Sequence, residues 1–125
     1  MLFVIGVVII AGCVSNAIYL NQPFDLRLGQ TAVIENENIN IRFMTVAEDS
    51  RCPSDVQCIQ EGRAVVVVNI VKDGENLGDF TLASNEPPII FDLYSIELVD
   101  VKPYPISTQR LDTSAYVITL VVSKN

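Results

Sequence analysis

The residues that decide the fold are Ala64-Val65-Val66-Val67-Val68-Asn69-Ile70-Val71-Lys72-Asp73-Gly74. From Ala64 to Val71 this stretch is apolar except at Asn69, and its consecutive valines favour a pleated strand over a helix. An apolar run of this kind predicts a central strand that is covered on both faces. Asp73-Gly74 is a strong signal for a type I′ hairpin turn, so a second strand is expected at Leu77–Leu82.

Alternating apolar and polar residues predict further strands on both sides of this hairpin. Toward the N-terminus the alternation indicates strands at Phe24–Leu28, Thr31–Glu35 and Ile39–Ala47. No segment after residue 24 keeps apolar residues at helical spacing for three turns. The N-terminal half of the domain is therefore expected to contain strands and turns.

Toward the C-terminus, strands are expected at Ile96–Val101 and Tyr116–Val122. Pro87 and Pro88 break the sheet before the first of these strands, because proline cannot donate to a ladder. A shift of phase at Leu98–Val99 indicates a β-bulge. About seven strands in some 100 residues predict an all-β fold, an antiparallel β-sandwich of immunoglobulin-like size.

Charge and composition exclude several classes of function. The chain has 125 residues and a net charge of −7, and its 8 basic and 15 acidic residues all follow residue 24. Histidine is absent, which excludes histidine triads and histidine metal sites. An acidic domain without a basic stripe repels phosphates, so nucleic acid is not an expected partner.

The uncharged N-terminus has the pattern of a targeting segment. Residues 2–10 are an apolar run of the length of a signal h-region, and small residues follow it. The ending Ile10-Ala11-Gly12-Cys13 resembles the lipobox of prokaryotic lipoproteins. That resemblance implies a signal peptide at 1–12, a lipid on Cys13, a tether at 13–23 and a domain at 24–125.

Two other interpretations of this segment remain open. Leu2–Leu20 has 19 residues, near the number needed to cross a bilayer, and could be an uncleaved membrane span. A simple cleaved secretory signal is the third interpretation. All three place the domain outside the cytoplasm, and the first two attach it to the membrane.

With Cys13 assigned to the lipid, the remaining cysteines are Cys52 and Cys58. An even remainder in an exported domain suggests that they form a disulfide. Metal binding by this pair is not expected, because two sulfurs without further ligands do not complete a tetrahedral zinc site. A redox role is disfavoured too, since reactive pairs usually have Cys-x-x-Cys spacing at a helix N-terminus.

The segment around these cysteines resembles a motif of small prokaryotic secreted or lipid-anchored β-domains. In that motif "DSRCP" is followed by "DVxC" and Gly-x-Ala, which correspond here to residues 49–53, 55–58 and 62–64. Gly29-Gln30-Thr31 and Pro103-Tyr104-Pro105 match as well, so the resemblance covers about 24–122. Members often have tryptophan where this chain has Gln60. The resemblance implies a β fold and an extracytoplasmic location, and no particular activity.

Two interpretations of the cysteine loop follow from its residues. In the structural one, the disulfide pins the loop, Gly62 supplies an unusual backbone angle, and Asp49 and Arg51 pair or cap turns. In the other, the rigid loop is a recognition surface whose contacting side chains are Arg51, Asp55 and Gln57. A protease-inhibitor-like variant of this hypothesis offers Arg51 to a protease pocket.

No motif selects a catalytic site, so the chain is expected not to be an enzyme and to need no cofactor or metal. Acidic pairs such as Glu35 and Glu37 are interpreted as solvated charge, and Asp73-Gly74 as the hairpin turn, rather than as calcium ligands. The expected role is a non-catalytic interaction or ligand-binding module of the cell envelope, with an unidentified protein or small molecule as partner. The alternative is a purely structural envelope component.

Overall fold

Two four-stranded antiparallel sheets pack face to face in the computed structural model, which describes residues 17–59, 62–105 and 113–125. The prediction of an all-β antiparallel sandwich is confirmed. The described residues form eight strands and one short 3₁₀ turn at Thr113–Ala115. The strands are β1 Phe24–Arg27, β2 Thr31–Ile34, β3 Ile39–Asp49, β4 Ala64–Lys72, β5 Glu75–Ala83, β6 Ile89–Phe91, β7 Tyr94–Lys102 and β8 Val117–Lys124.

One sheet has the strand order β1-β8-β7-β6 and the other β2-β3-β4-β5. The predicted hairpin forms the β4–β5 half of the second sheet. Its turn has positive φ at both Asp73 (53°) and Gly74 (82°), as a type I′ turn requires. The valine-rich strand β4 is central, because it pairs with β3 on one side and β5 on the other.

The core lies between the sheets and is formed by alternate residues of each strand. In β3 the buried Ile39, Ile41 and Phe43 alternate with exposed residues, as the period-two pattern predicts. Cover of β4 on both faces was the wrong expectation. Its outer-face residues Val67 and Asn69 are only half-buried, because the opposing sheet packs on one face alone.

In β6 and β7 one prediction is confirmed and one strand was not predicted. The bulge is confirmed, since the β7–β8 register shifts between Leu98 and Asp100. Strand β6 was not predicted. It is only three residues long and follows directly on Pro87 and Pro88, which mark a break in the ladder.

Contacts with the sandwich begin before β1, inside the segment predicted as a tether. Ile18 forms a parallel bridge with Ile34, and its carbonyl accepts a 2.6 Å hydrogen bond from the Glu35 backbone N–H. The Asn21 N–H donates to the Val122 carbonyl at 2.7 Å. From Ile18 onward the chain is therefore held against both sheets, at β2 in one and at β8 in the other.

The predicted signal peptide 1–12, Cys13 and most of the possible span Leu2–Leu20 lie outside the described residues. Among the residues that are described, none belongs to a helix long and apolar enough to span a bilayer.

Candidate functional site

The cysteine loop joins β3 to β4 and is closed by the predicted disulfide. Cys52 and Cys58 are bonded, with their Cα atoms 5.9 Å apart. The Ser54 N–H donates to the Pro105 carbonyl at 2.9 Å, which attaches the loop to the segment that follows β7. The loop is thus held by the disulfide and by a hydrogen bond to the segment that follows β7, a strand of the opposite sheet.

Arg51, at the base of this loop, is buried with a relative exposure of 8%. Its Nε and Nη2 donate to the two carboxylate oxygens of Asp49, each at 2.8 Å. Its Nη1 donates to the Val101 carbonyl at 2.6 Å, and Nη2 also donates to the Pro103 carbonyl at 2.9 Å. The guanidinium group therefore joins the end of β3 to the end of β7, in opposite sheets.

This position of Arg51 corrects its assignment as a contacting side chain of a recognition loop. Four of the five N–H donors of a guanidinium are used inside the protein, and the side chain is out of solvent. The protease-inhibitor variant of the hypothesis required an accessible Arg51 and loses its support. Asp55 and Gln57, the other two predicted contacts, are exposed on the loop.

Tyr116 completes the cluster, since its hydroxyl donates to Asp49 Oδ2 at 2.7 Å. Burial and this hydrogen bond raise the pKa of Tyr116 to about 12. Burial alone would raise the pKa of Asp49, but the hydrogen bonds from Arg51 and Tyr116 outweigh it, so that the pKa lies below its usual value. The hydrogen bond to Asp49 raises the pKa of Arg51. The pair is therefore charged at neutral pH.

Gly62 allows the loop to return close to its own base. Its φ is +50°, and a Cβ at this position would overlap the backbone carbonyl of Ser50. The Ser50 N–H and the Arg63 carbonyl are hydrogen-bonded at 2.7 Å beside it. Glycine is required here for both its backbone angle and its lack of a side chain.

The exposed surface of the loop is apolar as well as polar. Val56 and Ile59 are exposed on the loop, and Tyr104 is exposed beside it, with Arg51 Cζ 4.8 Å from its ring centroid. A cavity of about 260 Å³ adjoins Arg51 and is lined also by Tyr104 and by Val99 of the bulge. These apolar side chains were not among the predicted contacts, which were the polar side chains of Arg51, Asp55 and Gln57. Tyr104 between two prolines was the available signal.

We call this end of the sandwich the cysteine pole, defined by Asp49, Arg51, the Cys52–Cys58 loop, Tyr104 and Tyr116. The opposite end, the lysine pole, is defined by Glu37, Lys72, Tyr94 and Lys124. The strand β3 runs from one pole to the other over 11 residues. At a rise of about 3.3 Å per residue, the two poles are roughly 30 Å apart.

At the lysine pole a tyrosine again bonds a carboxylate from the other side of the sandwich, here in the turn that joins β2 to β3. The Tyr94 hydroxyl donates to Glu37 Oε1 at 2.6 Å, and this bond together with burial raises the pKa of Tyr94 to about 12. Lys72 and Lys124 place their Nζ atoms 5.6 and 5.7 Å from the ring centroid of Tyr94. Neither lysine is held by a bidentate pair of the kind that holds Arg51.

The acidic residues of the described part of the chain do not converge on a metal site. No group of three or more His, Cys, Asp or Glu side chains within the described ranges could hold a metal ion. Asp73 instead accepts a 2.9 Å bond from Lys72 Nζ, and this bond lowers its pKa.

Comparison of the chain with protein-family models, with curated proteins and with solved structures gives no match.

Proposed function

We propose that this chain is an exported, lipid-anchored β-sandwich that acts without catalysis, as an interaction module of the cell envelope. One observation carries the proposal. The cysteine pole combines a loop fixed at its base with the exposed apolar side chains of Val56, Ile59 and Tyr104.

A rigid, partly apolar loop is suited to binding another protein. The disulfide and the Arg51 bonds limit the conformations of the free loop, so less entropy is lost when it binds. Exposed aliphatic and aromatic groups close together on a polar surface mark interaction sites. The adjacent cavity of about 260 Å³ is smaller than most small-molecule sites and suits a single side chain of a protein partner.

Export and anchoring rest on different residues. A disulfide is characteristic of oxidising compartments outside the cytoplasm. Cys13 follows a lipobox-like sequence and is proposed as the lipidated residue. Ile18, five residues later, contacts the end of β2 near the lysine pole. An anchor on this side leaves the cysteine pole facing away from the membrane.

The proposed interaction is tested by photocrosslinking in intact envelopes. Ile59, exposed on the loop, is replaced by the photoreactive amino acid benzoylphenylalanine, and Ile90, exposed on β6 at the other end, receives the same replacement as a control. A discrete adduct is expected from position 59 and not from position 90. If neither position gives an adduct, or if both give the same ones, the chain is better described as a purely structural envelope component.

The proposed anchor is tested separately by Cys13→Ser. This variant loses the thiol that would carry the lipid, so the domain is expected in the soluble fraction while the unaltered chain sediments with membranes. Retention of Cys13→Ser in membranes would favour the uncleaved span Leu2–Leu20.

A further inference from the structure

We infer that the edge of the sandwich around Tyr19 and Val33 is a membrane-contacting surface, and that its occupant is the headgroup layer of a bilayer with zwitterionic lipids. The inference rests on the proposed lipid anchor at Cys13. It goes further by stating which surface of the domain meets the lipid.

Chain length is the first argument. Only five residue steps separate Cys13 from Ile18. A fully extended chain covers at most about 3.4 Å per residue, so Ile18 lies within about 17 Å of a lipidated Cys13. Because Ile18 is bridged to Ile34, the edge formed by β2 has to stay equally close to the bilayer.

The side chains at this edge form the second argument. Tyr19 is 46% exposed and Val33 is 59% exposed, and both line one groove of about 650 Å³ between the edge strands β1 and β2. Tyrosine is enriched at membrane–water interfaces, where its ring contacts acyl chains and its hydroxyl stays hydrated. An exposed tyrosine and valine next to the attachment point are therefore suited to the headgroup region.

The charge of the groove selects the kind of lipid. Among the residues that the structure describes, its charged lining residues are Asp25 and Glu35, and none of the described lysines and arginines lines it. Two carboxylates attract the ammonium groups of zwitterionic headgroups and are repelled by an anionic surface. The contact is therefore expected to be closer on neutral bilayers than on anionic ones.

The absence of tryptophan from the chain makes a sharp experiment possible. Tyr19→Trp places a single reporter at the proposed contact. Ile59→Trp places one at the cysteine pole, roughly 30 Å away along β3. Val33→Trp is a second reporter at the contact, should Tyr19→Trp fold poorly. Each variant is expressed as the full chain and purified from membranes in the form that the cell produces. It is then reconstituted into vesicles of phosphatidylcholine with brominated acyl chains.

Tryptophan quenching by the brominated lipid is the measurement. Quenching at position 19 or 33 is expected to exceed quenching at position 59 at least twofold. It is also expected to decrease when part of the lipid is replaced by anionic phosphatidylglycerol with the same brominated acyl chains, which keeps the quencher density constant. Equal quenching at both poles, stronger quenching at position 59, or no decrease on the anionic vesicles would overturn the inference.

Intact-mass measurement on the same samples separates this inference from the proposed anchor. A chain without a lipid mass at Cys13 would contradict the anchor itself. A lipidated chain with no excess quenching at positions 19 and 33 would leave the anchor in place and refute the membrane-contacting edge alone.

Discussion

The two poles of the sandwich both connect the two sheets, but they do so with different side chains. Each joins the sheets through a tyrosine hydroxyl bonded to a carboxylate, Tyr116 with Asp49 at one end and Tyr94 with Glu37 at the other. At the cysteine pole the neighbouring cation is a buried arginine with four hydrogen bonds. At the lysine pole the cations are two amines beside a ring, and Lys124 is 50% exposed.

The difference shows where geometry is fixed most firmly. A planar guanidinium can bind a carboxylate and two carbonyls at once, whereas an ammonium group on a flexible stem acts as a point charge. The base of the loop at the cysteine pole is therefore held in one conformation, so the loop can be both exposed and rigid. The lysine pole closes the other end of the core with contacts that solvent reaches more easily.

The largest expected effect is that of Arg51→Met. This change leaves the Asp49 carboxylate, whose side chain is 11% exposed, without its cation. Loss of one partner of a buried pair costs about 3–5 kcal/mol of the free energy of unfolding. Urea denaturation at neutral pH measures it. The control is Asp49→Asn with Arg51→Met, which leaves no unpaired charge and is expected to be less destabilised than the single variant.

Gly62→Ala tests the close return of the loop at the same pole. A non-glycine residue with positive φ costs roughly 1–2 kcal/mol. Overpacking typically adds 1–3 kcal/mol, and here the added Cβ overlaps the Ser50 carbonyl. Gly74→Ala is the matched control, since Gly74 has φ +82° with open space around it. Equal losses in the two variants would show that the Ser50 contact can relax.

The cysteine pole also shows which features could be predicted from the sequence alone and which could not. Alternation, the apolar run of β4 and the Asp73-Gly74 turn were together sufficient for seven of the strands, because these signals lie in the strands' own residues or in the turn beside them. The role of Arg51 could not be predicted in this way. Its partners Val101 and Pro103 lie about fifty residues later, and they accept through backbone carbonyls that any residue possesses. Arginine on a polar loop is usually exposed, so the pattern favoured the wrong environment.

Removal of the disulfide is the next expected effect in size. The double variant Cys52→Ser with Cys58→Ser opens a short loop. In the chain-entropy model, loss of such a cross-link lowers the free energy of unfolding by about 2 kcal/mol. Hydrogen exchange is expected to increase at the amide of Ser54, which bonds Pro105, and not at that of Asp73, which bonds Asn38 near the other pole. An equal increase at both amides would mean that the poles are not independent.

Acid should weaken the cysteine pole through Asp49. Its pKa is lowered in the folded state, so the carboxylate contributes stability above its unfolded pKa of about 3.9. That contribution is lost as the pH falls through the folded pKa. Asp49→Asn is therefore expected to show a shallower decrease of the free energy of unfolding between pH 5 and pH 2. Parallel curves for the two proteins would contradict the lowered pKa.

The smallest expected effect is at the lysine pole. Lys124 Nζ lies 3.9 Å from Glu37 Oε1 and is half exposed, and solvent-exposed pairs are typically worth about 0–1 kcal/mol. Lys124→Met is therefore expected to lower the free energy of unfolding by less than about 1 kcal/mol. Salt distinguishes the poles further, because the Debye length falls to about 3 Å at 1 M. At that salt concentration the effect of Lys124→Met should vanish, while that of Arg51→Met should persist because its charges are out of solvent. If salt abolished both effects, the buried Arg51 pair would be screened as fully as the exposed Lys124 pair, which would contradict the expected difference between the poles.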